Sequence, residues 1–204
     1  MREFFSKEKW KYAFYTVSHP MDAYYEIRHR ERGCLSIAVV LVMLFSFSFS
    51  INHIAAGFVV KNMNLLLVNV LTELAAVLIL YFLFCIANWS VACLMEGEGR
   101  IKDIAIAIGY AMTPIIVCVN IVTIVSLFVV ADEAAFYWMI LAIGIAYGLL
   151  MMLMGVMQVH NYTLGKTLAT IILTIVSMCI IIFIIMLFVD LIRIKINPGN
   201  TLTM

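Results

Sequence analysis

The sequence predicts an all-α integral membrane protein, a polytopic bundle of five transmembrane helices. Three observations predict it: the composition, the length of the apolar runs and the uneven placement of lysine and arginine. Of the 204 residues, 65% are hydrophobic and 12% are charged, whereas a soluble domain carries about 25% charged residues. The net charge of +1 provides no basic surface for nucleic acid. The predicted environment is therefore the lipid bilayer.

Five apolar windows are long enough to cross a bilayer, since a spanning helix needs about 20 mostly apolar residues. They cover residues 33–60, 65–94, 104–131, 134–159 and 167–189. The first contains the alternation FSFSFSI, which would favour a strand in a soluble protein. An isolated strand in hydrocarbon leaves its backbone polar groups unpaired, so we expect a helix. The chain then divides into an N-terminal segment (1–33), a five-helix transmembrane domain (34–192) and a short polar tail (193–204).

The orientation follows from the basic residues, because lysine and arginine concentrate in short cytoplasmic loops. With five spans, ten of the thirteen basic residues fall on one side and three on the other. The ten are Arg2, Lys7, Lys9, Lys11, Arg28, Arg30, Arg32, Arg100, Lys102 and Lys166, and the three are Lys61, Arg193 and Lys195. We expect the N-terminus in the cytoplasm and the C-terminus outside.

The N-terminal segment mixes lysines with aromatic residues, which is typical of a helix at the headgroup level. The aromatic residues are Phe4, Phe5, Trp10, Tyr12, Phe14 and Tyr15. Their apolar stripe is only moderately clean. A cytosolic segment that packs beneath the bundle is therefore the alternative.

The stretch MEGEGRIKD, residues 95–103, interrupts two apolar windows with charges and glycines. We interpret it as a cytoplasmic reversal in which Gly97 and Gly99 adopt positive φ angles. Asp103 is expected to cap the next helix by accepting from its free N–H groups. Glu96 and Glu98 could bind a divalent cation or transfer protons, but no third ligand stands nearby. A turn with a partner-binding surface is the preferred interpretation.

Polar residues inside the windows suggest a second hypothesis. A charged side chain at the centre of a bilayer costs about 2.5 to 3.5 kcal/mol on insertion scales, and such residues are often functional. Glu73 lies near one end of a long window, so we favour the outer interface, with Asn69 as its polar neighbour. The alternative is a small transporter or channel component in which Asn69, Glu73 and Asn120 face one polar cavity.

Two features of the windows predict helix packing. Pro114 lies inside the third window and removes a helix hydrogen bond, so we expect a kink there. Gly144 and Gly148 form a small-xxx-small pattern in the fourth window, which allows another helix to approach closely. The approaching helix is expected to come from this chain or from a second copy.

Motifs for enzymes are not found in the sequence. The four histidines, at positions 19, 29, 53 and 160, are spread over both sides of the predicted bundle, so we expect no metal cluster. The patterns of intramembrane proteases and the phosphate-binding loop are missing. The sequence therefore predicts a non-enzymatic protein with no catalytic residue, metal or cofactor.

Three segments together resemble the Yip1 domain family, specifically its small bacterial members. They are HPMDAYYEIRHRERG (19–33), NWSVACLMEGEGRIKDIAIAIGYAMTP (88–114) and HNYTLGKTLATIILTIVSM (160–178). The motif residues that we expect to form a family site or partner-binding surface are His19, Pro20, Asp22, Asn88, Trp89, Glu96, Gly97, Glu98, Gly99, Gly109, Tyr110, Pro114, His160 and Tyr162. This sequence differs from the relatives at its end, where RIKINPGNTLTM replaces an amphipathic segment.

The resemblance implies a five-helix domain with a cytosolic N-terminus in a bacterial plasma membrane. Eukaryotic members act in Golgi and endoplasmic-reticulum trafficking with prenylated Rab GTPases, partners that a bacterial cell lacks. Some bacterial members resemble accessory genes beside sugar ABC transporters. The leading hypothesis is a protein that binds other membrane proteins, such as an ABC transporter, or organises the bilayer. Its recognition surface would be residues 19–32 and 96–103.

Overall fold

The computed structural model describes residues 7–60, 69–128 and 133–196, without the side chains of 56–60, 193, 194 and 196. The described residues form α-helices and no strands. The helices are α1 (Lys7–Ser18), α2 (Pro20–Arg30), α3 (Leu35–Val60), α4 (Val70–Leu94), α5 (Ile101–Ala111), α6 (Thr113–Val125), α7 (Ala134–His160) and α8 (Leu164–Ile196). The predicted all-α class is confirmed.

Five segments are long and apolar enough to cross a membrane, as predicted. They are Leu35–Ala55, Val70–Leu94, Ile101–Val125, Ala134–His160 and Leu164–Ile192. The third begins three residues before its predicted window and the fifth extends the window at both ends, because hydropathy does not locate helix caps. The start of the second window and the end of the third lie outside the described residues.

The FSFSFSI alternation is helical in α3, and its serines lie on two sides of the helix. Residues two apart differ by about 200° around a helix, whereas residues four apart share a face. Ser50 therefore faces α4, where its hydroxyl donates to Glu73. Ser48 faces α6, where it accepts a hydrogen bond from Asn120 at 2.9 Å. The α3 helix thus lies between α4 and α6 and makes polar contacts with both.

The third span is interrupted close to Pro114, where the sequence predicts a kink. Met112 separates α5 from α6, and its N–H bonds to the Gly109 carbonyl, three residues back instead of four. Pro114 occupies the first turn of α6. The third span is the most buried of the five and α8 is the most exposed. The interrupted helix is therefore the centre of the bundle.

The small-residue face of α7 is covered within the chain. A Cβ atom built on Gly144 would lie 2.4 Å from the Cβ of Cys118, and one on Gly148 would lie 2.5 Å from Ile115. The approaching helix is therefore α6. The prediction that a second copy could use this face is wrong, because α6 already occupies the space.

The N-terminal helices pack against the bundle. Tyr24 and Ile27 of α2 are buried in the same core as residues of α5 and α7. The Tyr24 hydroxyl donates to the carbonyl of Ala107 at 3.4 Å, and the Tyr147 hydroxyl donates to that of Val17 at 2.6 Å. The α1 and α2 helices therefore pack on the bundle, as the second interpretation of the N-terminal segment predicts. Contact with lipid headgroups stays a prediction.

The N-terminal helices and two connections gather at one end of the bundle. Residues 95–100 join α4 to α5, and residues 161–163 join α7 to α8. The first connection lies beside the C-terminal end of α2, and the second packs against the first. Nine of the ten basic residues predicted on the cytoplasmic side belong to the described part of this end. The compartment that this end faces stays a prediction.

Candidate functional site

The buried imidazole of His160 joins the end of α7 to the α4–α5 connection. Its Nδ1 atom accepts a hydrogen bond from the backbone N–H of Gly99 at 3.2 Å. Its Nε2 atom lies 3.0 Å from Oδ1 of Asn88, and Nδ2 of Asn88 donates to the Thr174 hydroxyl at 3.1 Å. A backbone N–H can only donate, so this contact assigns the proton to Nε2 and makes the ring neutral. The chain of contacts links α4, α7, α8 and the connection.

Gly97 and Gly99 are required for close approach to the end of α7. A Cβ atom on Gly97 would lie 2.4 Å from the Tyr162 hydroxyl, and one on Gly99 would lie 2.6 Å from His160. The prediction of positive φ at these glycines is wrong, since no described glycine has one. The left-handed residue of the turn is Glu96, with φ of 57°. The chain reverses there, and the glycines make room for the aromatic rings.

Tyr162 closes the same connection from the start of α8. Its hydroxyl lies 3.2 Å from the carbonyl oxygen of Met95 and donates to it. Its ring stacks on His160 with 5.2 Å between centroids. The ammonium of Lys166 lies 4.6 Å from the centroid of the Tyr162 ring. Burial raises the pKa of the Tyr162 hydroxyl, so it stays a donor at neutral pH. Below, the junction means Asn88, Gly97, Gly99, His160 and Tyr162.

Arg100 connects α2 to the start of α5. Its Nη1 atom donates to Oε1 of Glu31 at 2.8 Å and its Nε atom donates to Oδ2 of Asp103 at 2.8 Å. Arg28 lies 3.6 Å from the same Asp103 oxygen. The hydrogen bond from Arg100 holds the pKa of Glu31 below its usual value, while the hydrogen bond to Asp103 raises the pKa of Arg100. Below, the charge cluster means Arg28, Glu31, Arg100 and Asp103.

The predicted capping role of Asp103 is wrong. The α5 helix has Arg100 at its N-cap, with no side-chain hydrogen bond to the helix N–H groups. The carboxylate of Asp103 is 97% buried and faces the two arginines instead. Burial of a carboxylate is costly without paired charges, and arginine provides those charges and several donors at once. This carboxylate therefore fixes the connection to α2.

Residues 19–32 and 96–103, which are predicted to form a recognition surface, are joined by the charge cluster. Glu96 and Glu98 are exposed on the connection. Arg30, the last residue of α2, and Arg32 just after the helix are also exposed. Both arginines form ion pairs with Glu26 at 2.9 Å. The surface therefore presents charges of both signs at the edge of the bundle. Below, the mixed-charge face means Arg30, Arg32, Glu96 and Glu98.

The other family-motif residues lie apart from the junction. His19 precedes α2 and stacks on Tyr15 at 4.7 Å between centroids, while Pro20 and Asp22 occupy the first turn of α2. Trp89 is half-exposed on α4. Three more residues are buried in the third span and act in packing: Gly109 fits against Ala38, Tyr110 accepts from the Cys34 N–H at 3.1 Å, and Pro114 begins α6.

The three polar residues predicted to line one cavity are separated by α3. The carboxamide oxygen of Asn69 caps α4, accepting from the N–H groups of Leu71 and Thr72. The carboxylate of Glu73 instead contacts Ser50 and His53 of α3. Glu73 faces the α4 side of α3, and Asn120 contacts the opposite side. Glu73 and Asn120 therefore do not face one cavity, as the transporter hypothesis requires.

A buried polar contact that sequence reasoning missed joins α3, α6 and α7. Asn52 donates to the Thr123 hydroxyl at 2.9 Å and accepts from the Tyr137 hydroxyl at 2.7 Å. An asparagine in an otherwise apolar window is a signal, because an unpaired amide in hydrocarbon is costly. Its partners could not be found from sequence, since they lie 71 and 85 residues away.

These features define a class: a polytopic helical membrane protein whose N-terminal helices are fixed to one end of a five-span bundle. The model of the Yip1 domain matches residues 14–187, and the chain belongs to the Yip1 domain family. No curated protein matches the chain. No solved structure matches it either.

The family sets limits on the chemistry of the site. Yip1 proteins are generally non-enzymatic membrane proteins, and Yip family proteins generally interact with other membrane proteins. Within the described ranges, His, Cys, Asp and Glu side chains do not come together in a group of three that could hold a metal ion. The junction and the charge cluster can fix the shape of a surface by hydrogen bonds and ion pairs.

Proposed function

We propose that this protein recognises other integral membrane proteins through the mixed-charge face, at the cytoplasmic side of a bacterial plasma membrane. Recognition does not involve a chemical reaction at this face. The junction and the charge cluster hold the face in one shape. The observation that carries the proposal is the position of Arg100, which joins α2 to the connection that bears Glu96 and Glu98.

A rigid face favours recognition because little conformational entropy is lost on binding. Both ends of residues 95–100 are fixed, since Met95 accepts from Tyr162 and Arg100 donates to Asp103. Glu96 and Glu98 between them stay exposed. A partner therefore meets two glutamates whose backbone is held in place before it arrives.

The charge pattern favours a protein over the lipid surface as the partner. Arg30 and Arg32 would attract anionic headgroups, but Glu96 and Glu98 would be repelled by them. Alternating signs at the edge of a bundle suit a protein partner with the complementary pattern, which also fixes the register of the complex. Transport has less support, because α3 separates Glu73 from Asn120.

Crosslinking in intact cells tests the proposal. A photoreactive amino acid at exposed Lys102 records the neighbours of the wild-type face, and the double variant Glu96→Lys, Glu98→Lys reverses its charge. We expect at least one crosslinked membrane protein to disappear. The matched control is Glu133→Lys, since Glu133 is an exposed carboxylate before α7, at the opposite end of the bundle. The proposal fails if every crosslinked neighbour persists in the double variant.

A further inference from the structure

We propose that the groove between α3 and α4 binds a phospholipid whose headgroup donates hydrogen bonds, with the headgroup at Glu73 and one acyl chain in the groove. An ethanolamine headgroup has this chemistry, because its ammonium carries three N–H donors. The site lies at the end of the bundle opposite the mixed-charge face. It does not depend on the proposed recognition function.

The groove has the size and lining of a hydrocarbon site. Its volume is about 260 Å³, and its walls are side chains between Val40 and Phe47 on α3 together with Val70 and Leu74 on α4. An apolar cavity of about 150 Å³ is enough to bind benzene. Phe47 is 56% exposed at its edge, so the groove opens on the outer surface of the bundle. That surface belongs to two predicted spans and faces acyl chains.

A carboxylate with spare acceptor capacity lies next to the α4 residues that line the groove. Glu73 stands between Val70 and Leu74 on α4, and both of those residues line the groove. The carboxylate accepts from the Ser50 hydroxyl, and Nδ1 of His53 lies 3.1 Å from its other oxygen. A carboxylate offers about four lone-pair sites. Its side chain is 22% exposed, so a donor from outside the protein can still reach it.

The depth of the groove matches the two parts of a phospholipid. Val70 is the first residue of α4, which places this end of the groove at the level of the headgroups. The α3 part of the lining, from Phe47 to Val40, covers about 10 Å along the helix axis near the middle of the Leu35–Ala55 span. A ligand with a polar donor at one end and a chain at the other fits both parts.

Ser46 provides a way to close the groove. Its hydroxyl is buried in the groove wall and has no hydrogen-bond partner among the described residues. Leucine at this position would add apolar volume without breaking a hydrogen bond. Ser90 on the same pair of helices is the matched control, because it is exposed and donates to the Ile86 carbonyl of its own helix.

The test uses the full chain in nanodiscs that contain an ethanolamine phospholipid with a photoreactive group on one acyl chain. We expect crosslinks on peptides that contain residues 40–47 and 70–74. Unlabelled ethanolamine lipid should compete about threefold to tenfold better than choline lipid, which has no N–H donor, in line with one or two hydrogen bonds. Glu73→Gln should remove most of this preference. Ser46→Leu should reduce the groove crosslinks several-fold, and Ser90→Leu should not.

Three results would overturn the inference. Crosslinks distributed evenly over α3, α4 and α8 would mean that only bulk lipid is present. Equal competition by ethanolamine and choline lipids would remove the role of Glu73. Missing groove crosslinks would mean that another part of the protein covers the groove. If Ser46→Leu does not give a monodisperse protein, Leu44→Trp closes the groove from its half-exposed edge, with Ile79→Trp as its exposed control.

Discussion

His160 and Gly99 are 61 residues apart in sequence, and the imidazole of His160 accepts the backbone N–H of Gly99 at 3.2 Å. This hydrogen bond ties the α4–α5 connection to the end of α7. The proton on the imidazole then points to Asn88. A neutral histidine therefore holds the connection in place together with Tyr162 and Arg100, and the mixed-charge face depends on that position.

Replacing Gly99 by alanine should destabilise the protein. The added Cβ would lie 2.6 Å from two atoms of His160, and neither the ring nor the connection can shift without losing hydrogen bonds. Overpacking of this kind costs about 1–3 kcal/mol in the free energy of unfolding. Reversible unfolding in mixed micelles would measure the change. Gly165→Ala is the control, since nothing lies within 4 Å of its added Cβ; equal stability of both variants would contradict the packing argument.

Asn88 and His160 should show energetic coupling. Removing either side chain leaves the other with a buried polar group that has lost its partner, at a cost of about 1–3 kcal/mol. The double variant Asn88→Ala, His160→Ala should therefore be more stable than the sum of the single changes predicts, by about 0.6 kcal/mol or more. A double-mutant cycle on the free energy of unfolding measures this coupling. Strict additivity would show that the contact does not stabilise the fold.

Much of the fold could be predicted from the sequence, because hydrocarbon permits few structures. Long apolar runs must be helices, so five spans follow from length and composition alone. The interruption of the third span follows from Pro114, which has no backbone N–H to donate. The Gly144 and Gly148 pattern predicted a close helix contact, but a pattern of small residues does not identify the helix that approaches.

The candidate site was predicted in its residues but not in their roles. Gly97, Gly99, His160 and Tyr162 were all singled out, yet the reason for the glycines was wrong. A turn favours glycine for its φ angles, which is a local rule. In the structure the glycines are required by rings some 60 residues away. Asp103 is similar: the local rule predicts a helix cap, but the carboxylate pairs with the distant Arg28 of α2 and with the neighbouring Arg100.

Arg100 should hold the N-terminal helices to the bundle more strongly than Glu31 does. Arg100→Gln leaves the buried carboxylate of Asp103 with Arg28 at 3.6 Å, whereas Glu31→Gln removes only an exposed partner, a pair of small energetic value. Spin labels at exposed Ser18 and Lys102 would report the separation of α1 from α5. We expect a broader distance distribution for Arg100→Gln than for Glu31→Gln. The reverse order would contradict the assigned role of Asp103.

Acidification should loosen the same contact. The hydrogen bond from Arg100 holds the pKa of Glu31 below its usual value. A lowered pKa in the folded state means that the stabilisation is complete above the unfolded pKa and is lost as the pH falls through the folded one. The distribution of distances between the spin labels at Ser18 and Lys102 should therefore broaden at acidic pH when Glu31 is present. In Glu31→Gln this part of the pH response should be missing; an unchanged response would assign it to other carboxylates.

A larger side chain at Gly148 should lower the stability of the single chain and leave its oligomeric state unchanged. A Cβ there would lie 2.5 Å from Ile115 of α6, so Gly148→Leu forces α6 and α7 apart at a cost of about 1–3 kcal/mol. Native mass spectrometry would report the mass of the particle and unfolding would report its stability. A change in subunit number without a change in stability would restore the prediction that a second copy uses this face.

The orientation of the bundle can be tested at its two ends. Exposed Glu98 lies on the connection beside the charge cluster, and exposed Glu133 precedes α7 at the opposite end. After replacement of the five native cysteines, Glu133→Cys should react with a membrane-impermeant maleimide in intact cells. Glu98→Cys should react only after permeabilisation, because ten basic residues predict that its end is cytoplasmic. The opposite pattern would reverse the orientation, and the mixed-charge face would then meet partners outside the cytoplasm.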